Sequence, residues 1–321
     1  MISLSRRSKG PCVARTVVIG ANGFIGSHLV DILAAEGHDV TAFGRFSSPV
    51  PKFSARGVRL VRGEFLNRAD IDMLVRGADL VFHFLSTTTP ATAESDPTLD
   101  IRTNVVQSVE LLEACVTAGV GHVYFASTGG AIYGPQGKES YVETDRTEPV
   151  SPYAIGKLSI ENYLRYFSVM HGLRSTALRI SNPYGTRQPA HRRQGLIPIA
   201  LRQIVEGKSI VRFGDGSMVR DYLYVEDLVR MIARMIEAPP IHPTYNLGSG
   251  VGHSVNEVLD SLRRVAGRDF GVIEQPVPAT FVDRVVLDTS RFRGEFGQFD
   301  LTSLDEGVSR TYEEIRAQHE R

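Results

Sequence analysis

Cysteine is scarce: Cys12 and Cys115 are the only two in 321 residues. They form no CxxC pair, so neither a disulfide framework nor a thiolate zinc site has support, and a reducing compartment fits. The nine histidines show no HExxH or clustered spacing, so no metal site is expected. Net charge is missing too, with 36 Lys and Arg against 36 Asp and Glu and no long block of one sign. A dedicated nucleic-acid binder would carry a basic excess or stripe, so nucleic acid is not an expected partner, although a few local arginines suffice for a small anion. The leader holds Arg6, Arg7 and Lys9 with no separate hydrophobic stretch, and the next apolar run is too short to span a membrane. Residues 1–13 are therefore expected to be a flexible leader on a soluble, cytoplasmic protein with no membrane attachment. No internal repeat or low-complexity segment is evident.

What is present starts with TVVIGANGFIG, Thr16 to Gly26. A β-branched run leads into Gly20, Gly23 and Gly26, and a helical apolar pattern follows at once. Strand, tight turn and helix form the setting of a dinucleotide-binding loop. Gly20 permits the turn, Gly23 lets backbone approach a pyrophosphate, and Gly26 lets helix and strand pack closely. The helix start offers free N–H groups and a positive dipole end to phosphates. The spacing is GxxGxxG rather than GxGxxG, a modified fingerprint.

From Phe24 to Glu36 apolar residues fall at helical spacing until Gly37. Asp39–Phe43 reads as a second strand. An acid at its end would bond ribose hydroxyls, but here it ends in Gly44 and Arg45. Arg45 either binds a ribose phosphate, lies on adenine or is simply solvated, which leaves NAD and NADP both open. Strands follow at Val58–Val61 and Asp79–Phe84, with a short helix through Ile71, Leu74 and Val75 between them. The hydroxyl-rich loop Ser86, Thr87, Thr88, Thr89 then lies where ligands bind parallel sheets, or its hydroxyls satisfy their own turn. A helix over Leu99–Ala118, a strand at His122–Ala126, a helix capped by Ser151 with Pro152 first, and a strand at Ser175–Ile180 complete a doubly wound parallel sheet. Beyond Ser181 the rhythm changes. A Pro-, Gly- and Arg-rich stretch precedes a helix over Leu196–Glu206 and a strand at Ile210–Phe213. VRDYLYVEDLVRMIARMI gives strand then amphipathic helix, Tyr245–Leu247 another strand, and Ser254 with Glu257 a capping box. A strand near Val285–Leu287 and a final short helix end the chain. The fold class is thus α/β, with a dinucleotide-binding domain over 14–181, later contributions near 218–248, and a smaller, discontinuous substrate domain from 182–217 and 249–321.

Tyr153 and Lys157 stand four apart near a helix start and share a face. A normal tyrosine is a poor base near neutrality, whereas a neighbouring ammonium and an oxidised nicotinamide both favour the phenolate. Such a phenolate can take a proton from a substrate hydroxyl as hydride leaves its carbon. The fifth strand runs straight into Ser127 and Thr128, where a hydroxyl can bond the reacting oxygen or else cap turn N–H groups.

GANGFIG, NVVQSVELLEAC (104–115), STGGAIYG (127–134), SPYAIGK (151–157), RISNPYG (179–185) and RDYLYVEDL (220–228) together resemble the extended short-chain dehydrogenases/reductases. Within them the chain is most similar to the NAD-dependent epimerase/dehydratase group and its UDP-glucose 4-epimerase-like members. The resemblance implies Tyr153 as base and acid, Lys157 as its electrostatic partner and Thr128 or Ser127 as hydroxyl helper. It implies a cofactor site from Gly20, Gly23, Phe24, Ile25, Gly26, Glu64, Phe84, Leu85 and Ser86, with Asn104 supporting the active-site helix; Arg45, Phe65 and Ile180 are further expected cofactor contacts. For a nucleotide diphosphate sugar, a UDP-sugar foremost, it implies Asn182, Leu196, Val211, Phe213 and Arg220; Thr88 of the hydroxyl-rich loop is a further expected substrate contact. A homodimer paired through the helices starting near Asp100 and Pro152 is usual in the group.

The departures carry information. STGGAIYG has one residue more than the common pattern, and counting back from Tyr153 favours Thr128 as the helper. Gly129 and Gly130 replace the Asp–Glu pair with which sugar 4,6-dehydratases protonate the leaving hydroxyl and remove the C5 proton, so dehydration is disfavoured. The arginine-glycine-aspartate stretch of the diphosphate site is absent, and Arg284 is its possible substitute. The expected activity is reversible C4 epimerisation of a nucleotide diphosphate hexose with retained NAD; the rival is an NADP-dependent ketosugar reductase. A non-catalytic nucleotide-binding protein is the rival of another class.

Overall fold

A computed structural model describes residues 13–47, 50–189, 195–277 and 282–320. Of the expected leader only Val13 falls within it, and Cys12, His191, Arg192 and Arg193 lie outside the described residues.

The chain opens with strand β1 (Arg15–Ile19), helix α1 (Phe24–Ala35), β2 (Asp39–Gly44), β3 (Arg59–Arg62), α2 (Arg68–Leu74) and β4 (Leu80–His83). Next come α3 (Pro90–Ser95), α4 (Pro97–Asp100), a π-helical segment (Ile101–Val105), α5 (Val106–Ala118), β5 (His122–Thr128) and α6 (Gly129–Ile132). Helix α7 (Pro152–His171) leads to β6 (Ser175–Ile180), β7 (Asn182–Tyr184), α8 (Leu196–Val205), β8 (Ile210–Phe213), β9 (Val219–Tyr224), α9 (Val225–Glu237) and β10 (Thr244–Leu247). The last elements are β11 (Gly252–Ser254), α10 (Val255–Ala266), β12 (Val272–Gln275), β13 (Arg284–Val285), α11 (Ser290–Phe296) and α12 (Leu304–His319).

Seven strands form one sheet in the order β10-β6-β5-β4-β1-β2-β3, with every pairing parallel. Its strands are apolar on both faces because helices cover both. Val18, Phe82 and Tyr124 turn to the side of α1 and α9, while Val17, Ile19, Val81 and Phe125 turn to the side of α2, α5 and α7. Each such side chain contributes about 1.5–3 kcal/mol on burial. The chain runs outward from β1 to β3 and then crosses back to β4, so a crevice opens between β1 and β4 at their carboxyl ends. Ile19 is in register with both Phe43 and His83, which brings Gly20, Gly44 and Phe84 to one edge.

A second body packs around Tyr184, Ile197, Leu201, Tyr224, Val258, Leu262 and Val308. A small sheet of β11, β9 and β13 is joined by β7, and β8 pairs with β12 apart from it.

Several expectations change in detail. The helix foreseen over Leu99–Ala118 is interrupted, because α4 gives way to the π-helical segment before α5 begins. That wide turn lets Asn104 Oδ1 accept from Thr87 N at 2.9 Å, a bond between loop and helix. β5 runs two residues past Ala126, so Ser127 and Thr128 are strand residues, paired with Arg179 and Ile180. The strand foreseen at Val285–Leu287 is only Arg284–Val285, and Leu287 bridges Tyr141 instead. The last helix is not short. It has 16 residues, with Ser303 as its N-cap and Val308, Thr311 and Ile315 buried.

Candidate active site

The crevice begins at the β1–α1 turn. Gly20 has φ +88°, and a Cβ there would lie 2.9 Å from Leu85 N; one at Gly26 would lie 2.2 Å from Gly20 O. Backbone thus meets backbone at the switch point, and only glycine fits. The α1 N-cap, Gly23, offers no side-chain bond, and no acid stands in the first turn. The N–H groups of Phe24 and Ile25, which a helix start leaves without internal partners, are free of a side-chain cap and suit a pyrophosphate. These features fit the diphosphate of a dinucleotide.

Farther along the same edge, the first turn of α7 brings Tyr153 and Lys157 to β5. The Ser151 hydroxyl caps Ala154 N and Pro152 occupies the first turn, which fixes where the helix starts. Lys157 Nζ donates to Ala126 O at 2.9 Å. It lies 4.7 Å from the Phe125 ring centroid and 5.6 Å from that of Tyr153. Burial brings the Lys157 ammonium down to about 8, against the pull of Asp100 and Glu161. Burial pushes the Tyr153 phenol up to about 12, and Asp100 adds to it. Both effects disfavour the phenolate in the closed site.

The two hydroxyls at the end of β5 have different fates. Ser127 Oγ donates to Glu161 Oε1 at 2.5 Å. Glu161 is in turn paired with Arg179, Nη2 to Oε2 at 2.7 Å, both side chains 7% exposed. Arg179 continues to the Tyr133 hydroxyl at 3.1 Å, which donates to Asn246 Oδ1 at 2.6 Å. Thr128 makes no capping bond to α6 and is buried.

The threonine loop after β4 is tied to the α4–α5 bend. Thr88 Oγ1 donates to Asp100 Oδ1, and Asn104 Nδ2 donates to that same oxygen at 2.9 Å. Ser86 Oγ reaches Thr88 O at 2.9 Å, and Thr89 caps α3 in a capping box with Thr92. The loop hydroxyls are thus largely spent within the loop and its neighbours. Asp100, Glu161 and Arg179 were not singled out from sequence. Glu161, four residues after Lys157 on one helix face, carried a usable signal. Asp100 carried none, since only the bend brings it to α7.

The other expected residues fall in two groups. Around the cofactor crevice, Arg45 is exposed just past β2 and Glu64 is exposed, its N–H bonded to Asp70 Oδ2 at 2.9 Å. Phe65 is buried with its ring 5.1 Å from His83, Phe84 N bonds Ile19 O at 3.0 Å, and Ile180 is buried at the end of β6. Toward the second body, Asn182, Arg220 and Arg284 share the β7–β9–β13 arrangement. Asn182 Nδ2 donates to Asp221 O at 3.3 Å, and Arg220 Nη1 donates to Val219 O at 2.8 Å. Arg284 pairs with Glu139, Nε to Oε2 at 3.0 Å. Leu196 starts α8, while Val211 and Phe213 lie on β8; all three are partly buried.

A dinucleotide crevice at the switch point, with a phenol and an amine on the same edge of the sheet, is a framework that suits hydride transfer. The chain belongs to the NAD dependent epimerase/dehydratase family, whose profile matches residues 16–248. It is 32% identical over 308 residues to a UDP-glucose 4-epimerase of Mycolicibacterium smegmatis, covering 94% of this chain and 98% of that one. Its structure is similar to a UDP-glucose 4-epimerase of Thermotoga maritima solved with UDP-glucose, with TM-score 0.89, 33% identity, and 95% and 99% of the two chains covered. A UDP-glucose 4-epimerase of Thermus thermophilus in complex with NAD gives TM-score 0.86 and 31% identity over 94% and 99%. Proteins described as dTDP-glucose 4,6-dehydratase are also among the relatives. Among the described residues no helix is long and apolar enough to cross a membrane, and no group of three or more His, Cys, Asp or Glu could hold a metal ion.

Proposed function

We propose that this protein interconverts C4 epimers of a nucleotide diphosphate hexose, UDP-glucose and UDP-galactose foremost, through a transient 4-keto sugar. The observation that carries the reading is the surface beside Thr128. A Cβ at Gly129 would lie 2.4 Å from Leu287 Cδ1 and 2.9 Å from Arg179 O. Neither Gly129 nor Gly130 supplies an acid or base, so elimination of water has no proton donor there, while redox at C4 needs only Tyr153, Lys157 and one hydroxyl.

In this reading the Gly20–Gly26 turn with the N–H groups of Phe24 and Ile25 would hold NAD tightly, and the cofactor would supply a reversible hydride acceptor for C4. The chain's own groups manage the proton. Tyr153 Oη takes it from the C4 hydroxyl and returns it to the same oxygen once the sugar has turned, and Thr128 steadies the C4 oxygen. Lys157, fixed by Ala126 O, supports the ionised phenol and bonds the nicotinamide ribose. Asn182, Arg220 and Arg284 hold the diphosphate while the sugar turns, with Leu196, Val211 and Phe213 around the base. In this division residues 14–181, with later contributions near 218–248, carry the cofactor, and 182–217 with 249–321 carry the sugar nucleotide. The working form is a homodimer.

A ketosugar reductase remains the second reading, favoured by exposed Arg45 and the absence of a carboxylate at the end of β2. The test is to release and identify the bound nucleotide, then to mix the protein with a panel of UDP-, dTDP- and GDP-sugars and no reductant. A C4 epimer formed with no net cofactor turnover is expected. Product that forms only with added NADPH, in stoichiometric amount, overturns epimerisation in favour of the reductase.

A further inference from the structure

The amine of Lys157 is deeply buried, yet the reaction needs it as an ammonium, so something must offset the loss of water around it. Its nearest partners are neutral: Ala126 O and the rings of Phe125 and Tyr153. From β4 the neighbouring titratable group is His83, which burial and the Lys157 charge together bring down to about 3 and keep neutral. Two carboxylates act on Lys157, Asp100 from α4 and Glu161 from its own helix. They are not equivalent. Glu161 is already neutralised by Arg179 at 2.7 Å and also accepts from Ser127. Asp100 is 2% exposed, and its hydrogen-bond partners, Thr88 and Asn104, carry no charge.

The backbone makes room for this carboxylate. A Cβ at Gly156, between Tyr153 and Lys157, would lie 2.2 Å from Asp100 Oδ2. The bare face of α7 thus lets one oxygen sit against the helix, while the other is held by a hydroxyl and an amide. A buried charge with only neutral partners is costly, and an opposite charge close by repays it.

We propose that Asp100 is the counter-ion that keeps Lys157 an ammonium in the closed site, and so a positioning residue for proton transfer at Tyr153. It acts through Lys157 and touches no reacting atom. The proposal rests on Tyr153 and Lys157 being the reacting pair but on no particular sugar. Its test is read on protein without nucleotide sugar, so a failed epimerase assay leaves it standing.

Asp100→Asn preserves the shape: the new amide oxygen can accept from Thr88 and Asn104 as before, and only the charge is lost. The chain has five lysines, Lys9, Lys52, Lys138, Lys157 and Lys208. Their ε-carbons can therefore be followed by carbon-13 NMR against pH, with Lys157→Met assigning the signal. In Asp100→Asn the Lys157 midpoint is expected to fall by about one pH unit or more, a roughly tenfold loss of proton affinity. The alkaline limb of the activity profile should move down with it. A Lys157 midpoint equal to that of the wild type overturns the proposal, whatever happens to activity. Gly156→Ala, whose methyl group claims the space of Oδ2, gives a second reading if Asp100→Asn does not fold. The same downward movement supports the proposal, and an unmoved midpoint overturns it.

Discussion

At the scale of single residues, the two adjacent hydroxyls of β5 show how position outweighs chemical type. Ser127 and Thr128 point to opposite faces of the strand, as neighbours in a strand must. Ser127 is taken by the buried Glu161–Arg179 pair, and Thr128 has no such partner. Thr128→Val should therefore lower kcat by about 10²-fold, the usual cost of losing one aligned donor to a reacting oxygen, with nucleotide-sugar affinity little changed. Ser127→Ala should behave differently. It leaves Glu161 one donor short and should lower stability by about 1–3 kcal/mol while kcat changes far less. Steady-state kinetics beside denaturant titration of both variants separates these outcomes. A larger kcat loss for Ser127→Ala than for Thr128→Val would move the helper role one residue back.

At the scale of elements, α1 carries the cofactor reading because its start is made of glycine. Replacing Gly26 by alanine sets a methyl group 2.2 Å from Gly20 O, which is backbone and cannot turn aside. The turn must open, and the N–H groups of Phe24 and Ile25 then no longer converge. Gly26→Ala is expected to purify with little or no nucleotide, measured by the absorbance released on acid precipitation. Full occupancy would show that the cradle tolerates the shift. Elements like this one were legible in the sequence because their signals are local. The Ser151–Pro152 start of α7 and the Ser254–Glu257 box of α10 both appear as read, each with its hydrogen bond. Legibility ended where contacts join distant parts of the chain. Arg179 and Glu161 are 18 residues apart, and Tyr133 and Asn246 are 113 apart. No periodicity encodes such meetings. The π-helical bend is similar, since Leu99–Ala118 is apolar in one continuous stripe and only the loop bonds of Asn104 and Asp100 explain the extra turn width.

For the whole molecule, the feature that monomeric packing leaves unexplained is an apolar stripe on the outer face of α7. Ile155, Tyr163, Tyr166, Val169 and Met170 are all exposed there, Val169 by 74%. Leu99, Ile101 and Val106 continue the apolar surface onto α4, the bend and α5, which pack against α7. Counted from Ile155, the other α7 residues fall 8, 11, 14 and 15 positions on, which keeps them on one side of that helix, and Leu99 and Val106 are seven apart. Exposed apolar area of this kind is costly in water unless a partner covers it. A second copy can do so by a two-fold axis that sets the two helix pairs side by side as a four-helix bundle, each stripe meeting its own image. The same helix bears Tyr153 and Lys157, so covering its outer face would also stiffen the first turn that holds them. At micromolar concentration the protein is accordingly expected to sediment at twice the 35.3 kDa chain mass. The paired substitution Tyr166→Lys with Met170→Lys should give monomers, because two lysines per protomer would face two more across the axis. Neither residue belongs to the buried face of α7, so the monomer should keep its fold and far-UV spectrum. Wild-type protein sedimenting as a monomer at that concentration, or a dimer indifferent to both lysines, would remove the pairing through α7.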